Sequence, residues 1–257
     1  MQSLGIYGDS FADSNTCSTD KLASAAWCNL LKTYYNVTNY ALGGSSLYYS
    51  YRIFLNTHHL HDKCLFLSTD WSREHNNVVD VGNKKIGFNS LHTIYFHFKN
   101  YPELFKNTAI KNKIFALEQY YLYLFDAQTN YDLSTLMIEK IRRLRPDVFL
   151  MDVNVCTKGN VTDCFDVLNM FQDYRQLLLG LNNIKIENSL SKYNWIPYPE
   201  KNTVCHFPVE INEILAQNIK MFLKTRIWPP VPKNITFKHP ADYYWDLSKN
   251  DEINKNL

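Results

Sequence analysis

The sequence predicts an α/β domain, a parallel sheet covered by helices on both faces. Short apolar runs alternate along the chain with stretches at helical spacing. The first run, Ser3–Tyr7 (SLGIY), stops at Gly8-Asp9-Ser10, which suits a buried strand closed by a tight turn. The second, 37–42 (VTNYAL), stops at Gly43-Gly44-Ser45-Ser46 in the same manner.

The remaining elements follow in order. Residues 20–34 (DKLASAAWCNLLKTY) carry apolar side chains near helical spacing, with Ser18 to Asp20 available as a cap. Residues 64–68 (CLFLS) read as a third strand, 147–153 (DVFLMDV), entered through Pro146, as a fourth, and 184–186 as a weaker fifth. Residues 112–125 are apolar on most sides and predict a helix that is buried or faces a partner. A helix over 133–144 follows, capped by Asp132 or Ser134, and one over 162–179 stops at Gly180. The last helix, 209–225, lines up Ile211, Ile214, Leu215, Ile219 and Phe222, with Pro208 near its first turn. Two stretches break the rhythm. Residues 74–111, polar, Asn-rich and aromatic, read as an inserted lid, and 227–257, with Pro229, Pro230 and Pro232 near its start, as an extended arm. The expected division is one domain over 1–226 with its insertion, then the arm over 227–257.

Composition narrows the function classes. A chain of 257 residues with 46% hydrophobic content has ample core, burying roughly 70–75% of its unfolded surface. A net charge of +2 leaves no electrostatic footprint for nucleic acid. Arg142, Arg143 and Arg145 fall at a predicted helix end, where cations complement the dipole. No run of about 18 apolar residues predicts a membrane span. Six cysteines without CxxC spacing predict reduced thiols, and a candidate site starting at Gly8 leaves no room for a secretory leader. The expected location is the cytoplasm. Richness in Asn, Lys, Tyr, Phe and Ile, whose codons favour A and T, adds a virion-associated alternative.

The chemistry-bearing residues gather at three places. Ser10 follows a strand end, where open parallel sheets build ligand sites, with backbone N–H groups beside it to receive a developing oxyanion. Gly43 and Gly44 follow the next strand, where a substrate oxygen meets no side chain. His206 sits just before the last amphipathic helix. In that order the set resembles the SGNH (GDSL-type) hydrolase family: GDSFADS matches its first block, ALGGSS its glycine block, and the segment around His206 its terminal block. The resemblance covers residues 4–46, 64–73, 146–153 and about 200–223. It implies a three-layer α/β/α sandwich and ester hydrolysis through an acyl-enzyme. Ser10 would be the nucleophile and His206 the general base. The oxyanion donors would be the N–H groups of Ser10 and of Gly43 or Gly44. No metal or other cofactor is implied.

The sequence departs from the family pattern twice. Thr203 stands three residues before His206, where the family has an aspartate. The third block reads Leu67-Ser68-Thr69-Asp70-Trp71-Ser72-Arg73, with Asp70 about where an asparagine amide donates to the oxyanion. Losing the orienting acid costs roughly 10⁴ in rate, and losing one oxyanion donor about 10²–10³. Thr69 or Ser72 can donate a hydroxyl instead, and Arg73 can offset Asp70. Glu200, Glu210 or a backbone carbonyl can hold His206. Asp9, Asp70, Arg73 and Thr203 are therefore the candidate supporting residues.

Other clusters read as structural. His58-His59-Leu60-His61-Asp62 lacks the spacing of a binuclear metal site and predicts a solvated loop. Tyr48, Tyr49 and Tyr51 fit a sugar-stacking subsite or a packed helix face equally. Tyr243, Tyr244 and Trp245 in the arm suit docking onto a neighbouring subunit or a virion partner. The expected activity is removal of a small acyl group, such as acetyl, from an alcohol, most naturally a carbohydrate. The opposing expectation is the same fold used as a glycan-binding or assembly module, for example in a phage particle.

Overall fold

Four strands form a parallel sheet: β1 (Ser3–Tyr7), β2 (Asn36–Asn39), β3 (Lys63–Ser68) and β4 (Phe149–Asp152), in the order β2-β1-β3-β4. The computed structural model describes residues 1–14, 23–68, 123–152 and 207–230, together with 112, 115–116, 119–120, 165–166 and 203–204. The helices are α1 (Trp27–Leu30), α2 (Leu47–Thr57), α3 (Ala127–Leu144) and α4 (Val209–Thr225). A short antiparallel pair, β5 (Thr203–Val204) and β6 (Phe207–Pro208), leads directly into α4.

The buried side chains of the sheet divide between two core clusters, which explains why β1 and β3 read as near-continuous apolar runs. Leu4, Ile6, Leu65, Leu67, Phe149 and Met151 point to one face and pack on Trp27 of α1 and on Ile211, Leu215, Ile219 and Phe222 of α4. Tyr7, Cys64, Phe66 and Leu150 point to the other and meet Leu47 and Phe54 of α2 and Ile138 and Ile141 of α3. This is a mixed α/β architecture, with α4 spanning the residues its periodicity predicts. Lys63 Nζ donates to the Leu223 carbonyl at 2.8 Å, placing a cation at the C-terminal end of α4. Among the described residues no helix is long and apolar enough to cross a membrane.

Several expected bounds are corrected. The helix expected over 20–34 is interrupted, within its described residues, at 24–26: Ala23 is helical, and α1 and a 3-10 turn at Leu31–Thr33 follow the break. Ala26 is extended, and the Trp27 N–H bonds the Asn212 side chain instead of a helical carbonyl. The second strand stops at Asn39, because the Asn39 side chain accepts the Ala41 N–H at 3.0 Å and turns the chain. The helix expected over 133–144 begins at Ala127. Asp126 caps it, accepting from the Gln128 N–H and the Thr129 hydroxyl, so Asp132 and Ser134 lie inside the helix. Its polar first turn carries no apolar period to read. Described residues of 112–125 are helical as far as Tyr123, but Phe115, Tyr123 and Leu124 are exposed, against the burial reading. Most of 162–179, all of 184–186 and 74–111, and the arm beyond Pro230 lie outside the described residues.

The three-histidine segment is not a solvated loop. Arg145, at the end of α3, grips it, donating to the carbonyls of His58 (2.8 Å), His61 (3.1 Å) and Asp62 (3.0 Å) and pairing with Asp147. The fixed fork of the guanidinium makes this capture possible. His58–Leu60 forms a 3-10 turn, the His58 ring stacks on Phe54, and His61 Nε2 meets the Tyr40 hydroxyl at 3.0 Å. Both Nδ1 atoms are buried without a hydrogen-bond partner. Among the described residues no three His, Cys, Asp or Glu side chains group as a metal site. Arg142 likewise turns inward, bonding Asp166 Oδ2 at 2.8 Å, and Asp166 also accepts the Leu150 N–H at the edge of β4.

Two outcomes are expected. A Cβ on Gly5 would lie 2.6 Å from His61 Cδ2 and 2.8 Å from the Tyr7 hydroxyl, so Gly5→Ala should cost about 1–3 kcal/mol in urea unfolding. A cost under about 0.5 kcal/mol would contradict this contact. Burial first, and then the Arg145 charge, hold His58 and His61 below the usual histidine range. The unfolded chain therefore takes up protons from about pH 6.5 downward while the folded chain resists them. Stability should fall as pH drops through that window, with a shallower slope in His61→Gln. An unchanged slope would mean that His61 is not titrating as described.

Candidate active site

The sheet order puts a topological switch between β1 and β3, because the chain leaves β1 towards β2 and later returns to the other side of β1. Crevices form at such a point beyond the carboxyl ends of the strands. Gly8-Asp9-Ser10 lies there. The Asp9 carbonyl accepts the N–H groups of Ala12 and Asp13, both at 3.0 Å, which winds one turn of chain immediately after the strand. Asp9 Oδ1 accepts the Phe11 N–H at 3.0 Å, so this buried carboxylate shapes the turn around Ser10. Ser10 is 7% exposed.

The glycine turn is bonded to the serine turn. Leu42 O accepts the Ser45 N–H at 3.0 Å and Gly44 has φ +73°, the left-handed position that a type II turn reserves for glycine. Gly8 O accepts from Leu42 N (3.1 Å), Ser45 Oγ (3.3 Å) and Ser50 Oγ (3.1 Å). Gly43 N–H donates to Asp13 Oδ2 at 2.9 Å. In this arrangement the Gly43 amide serves Asp13. Asn39 adds a bond from Nδ2 to Ala12 O at 2.8 Å. Ser46 caps α2 through the Tyr49 N–H.

The chain on either side of His206 is held close to the same turn. β5 pairs with β6, Thr203 opposite Pro208 and Val204 opposite Phe207, which puts Cys205 and His206 in the connection between them. His206, Thr69, Asp70 and Arg73 lie outside the described residues, as does the Thr203 side chain. Phe207, directly after His206, packs on Phe11, directly after Ser10, with ring centroids 5.8 Å apart. A second link runs through polar atoms. Trp27 Nε1 donates to Phe11 O at 2.8 Å, Trp27 N–H to Asn212 Oδ1 at 3.0 Å, and Asn212 Nδ2 to the carbonyls of Phe207 (2.9 Å) and Pro208 (3.0 Å).

Sequence reading missed Asp13, Trp27, Asn39, Ser45, Ser50 and Asn212. One signal was available: Asn212 lies next to Ile211 on a predicted apolar face, where a polar residue needs buried partners. The tyrosines divide between the two readings. Tyr51 packs on the α2 side of the core, while Tyr48 is 39% exposed beside Arg52. Burial and then the Asp13 charge raise the Tyr49 phenol above its usual range. Glu210, in the first turn of α4, is 8% exposed.

Asn212→Ala would strand a buried N–H and two carbonyls, so a loss of about 2–4 kcal/mol is expected in chemical denaturation. A loss below about 0.5 kcal/mol would mean that these bonds do not hold the segment. No protein-family model matches the sequence, and no curated protein matches it.

Proposed function

We propose that the protein is a serine-dependent ester hydrolase of SGNH type, built as a three-layer α/β/α sandwich. It removes a small acyl group, most simply acetyl, from an alcohol of a carbohydrate. The observation that carries this reading is the Phe11–Phe207 contact, which draws together the chain segments bearing Ser10 and His206 at the switch point of the sheet. Support also comes from the glycine turn bonded to Gly8 and from the carbohydrate-sized aromatic side chain of Tyr48.

Ser10 Oγ attacks the acyl carbonyl while His206 takes its proton, and the carbonyl oxygen becomes the oxyanion. The N–H groups of Ser10 and Gly44 receive that charge, with Thr69 as a further donor. Collapse breaks the acyl–oxygen bond, and His206 returns the proton to the leaving alcohol. Water, deprotonated by His206, then attacks the acyl carbon; the acyl–Oγ bond breaks, the acid leaves, and His206 returns the proton to Ser10 Oγ. Glu210, buried four residues after His206, is the candidate that orients its imidazole in place of an acid at Thr203. Arg73, three residues after Asp70 in the sequence, is the candidate that offsets its charge.

Thr203 favours a second reading, in which the fold serves as a glycan-binding or assembly module without turnover. Fluorophosphonate labelling read by mass separates the two. One adduct on the wild-type protein and none on Ser10→Ala is expected, with His206→Ala labelling at least ~10³-fold more slowly. A folded wild-type protein that takes no adduct, or an adduct that persists in Ser10→Ala, would overturn the hydrolase reading.

A further inference from the structure

We propose that Asp13 is a positioning residue of the oxyanion site, its buried carboxylate clamping the Gly43 amide so that the Leu42–Ser45 turn, and Gly44 with it, is set against the turn that carries Ser10. The catalytic consequence rests on the ester-hydrolase reading, but the clamp stands on geometry alone. Asp13 is 7% exposed, and its Oδ2 lies 2.9 Å from Gly43 N. Its own N–H donates to Asp9 O at 3.0 Å, so the residue is fixed to the nucleophile turn by its backbone and to the glycine turn by its side chain. A charged acceptor makes the stronger kind of hydrogen bond.

The alternatives within the turn do different work. Leu42 N–H, Ser45 Oγ and Ser50 Oγ all converge on Gly8 O, which fixes the two ends of the turn. Asp13 instead reaches the turn's interior, at the residue preceding the left-handed Gly44. An oxyanion donor misplaced by a fraction of an ångström loses much of its effect, because stabilisation depends on donors already aimed at the developing charge.

The test compares wild type, Asp13→Asn and Asp13→Ala by three measurements: the Gly43 amide proton shift, the fluorophosphonate labelling rate of Ser10, and kcat and KM on p-nitrophenyl acetate. The amide proton should move upfield in Asn and further in Ala as its acceptor weakens and then disappears. Labelling and kcat should drop about 10–100-fold in Ala with KM nearly unchanged, and Asn, which keeps an acceptor oxygen, should recover most of the loss. Wild-type rates in Ala would overturn the positioning role, and so would equal losses in Asn and Ala. An unmoved Gly43 signal in Asn would overturn the clamp, even if Ala fails to fold. If wild type itself takes no label, the hydrolase reading and the catalytic role fall together, and the amide shift alone decides the clamp.

Discussion

The carbonyl of Gly8 is the junction on which the candidate site depends. It ends the central strand β1 and receives three donors, the Leu42 amide and the hydroxyls of Ser45 and Ser50, all from the segment after β2. A buried carbonyl left alone would be costly, and a carbonyl so fully satisfied leaves the two turns little freedom to shift. The close fit at Gly8 follows from the same crowding, since a Cβ there would stand 3.0 Å from Leu67 Cβ on β3. The serine turn, the glycine turn and the neighbouring strand are therefore held together by one small residue.

Charged side chains perform much of the remaining internal work. Arg145 binds the segment before β3 through the carbonyls of His58, His61 and Asp62, and Arg142 reaches Asp166 at the edge of β4. Such bonds to charged groups contribute more than neutral ones and tolerate partial burial when every donor is used. Two of the three arginines in this cluster, Arg142 and Arg145, thus direct their charge to internal partners, while Arg143 is exposed. Their placement at the end of α3 also complements its dipole.

Around His206 the organisation is indirect. Asn212 acts from within α4, accepting from Trp27 and donating to the two carbonyls that lead into the helix. The Trp27 ring in turn donates to Phe11, beside Ser10. The path from the Ser10 turn to the β5–β6 segment therefore consists of one ring contact and a chain of buried hydrogen bonds. A polar amide inside an apolar face gives that path a defined register, which apolar packing alone would leave looser.

The sequence by itself determined what local rules encode. Short apolar runs identified the four described strands of the sheet, helical spacing identified α4 to its bounds, and glycine placement located both turns. Ser10 and the glycine turn were legible because strand–turn junctions have a short-range signature. The tertiary structure alone decided what joins distant segments: Asp13 to Gly43 across 30 residues, Arg145 to His61 across 84, and Trp27 to Asn212 across 185. Polar side chains carry no periodic mark of their partner. Where such partners compete with local preference they win, as at α1, whose first amide bonds Asn212, and at the histidine segment, which Arg145 folds inward. A tertiary hydrogen bond in a dry interior outweighs the few tenths of a kcal/mol per residue that separate local conformational propensities.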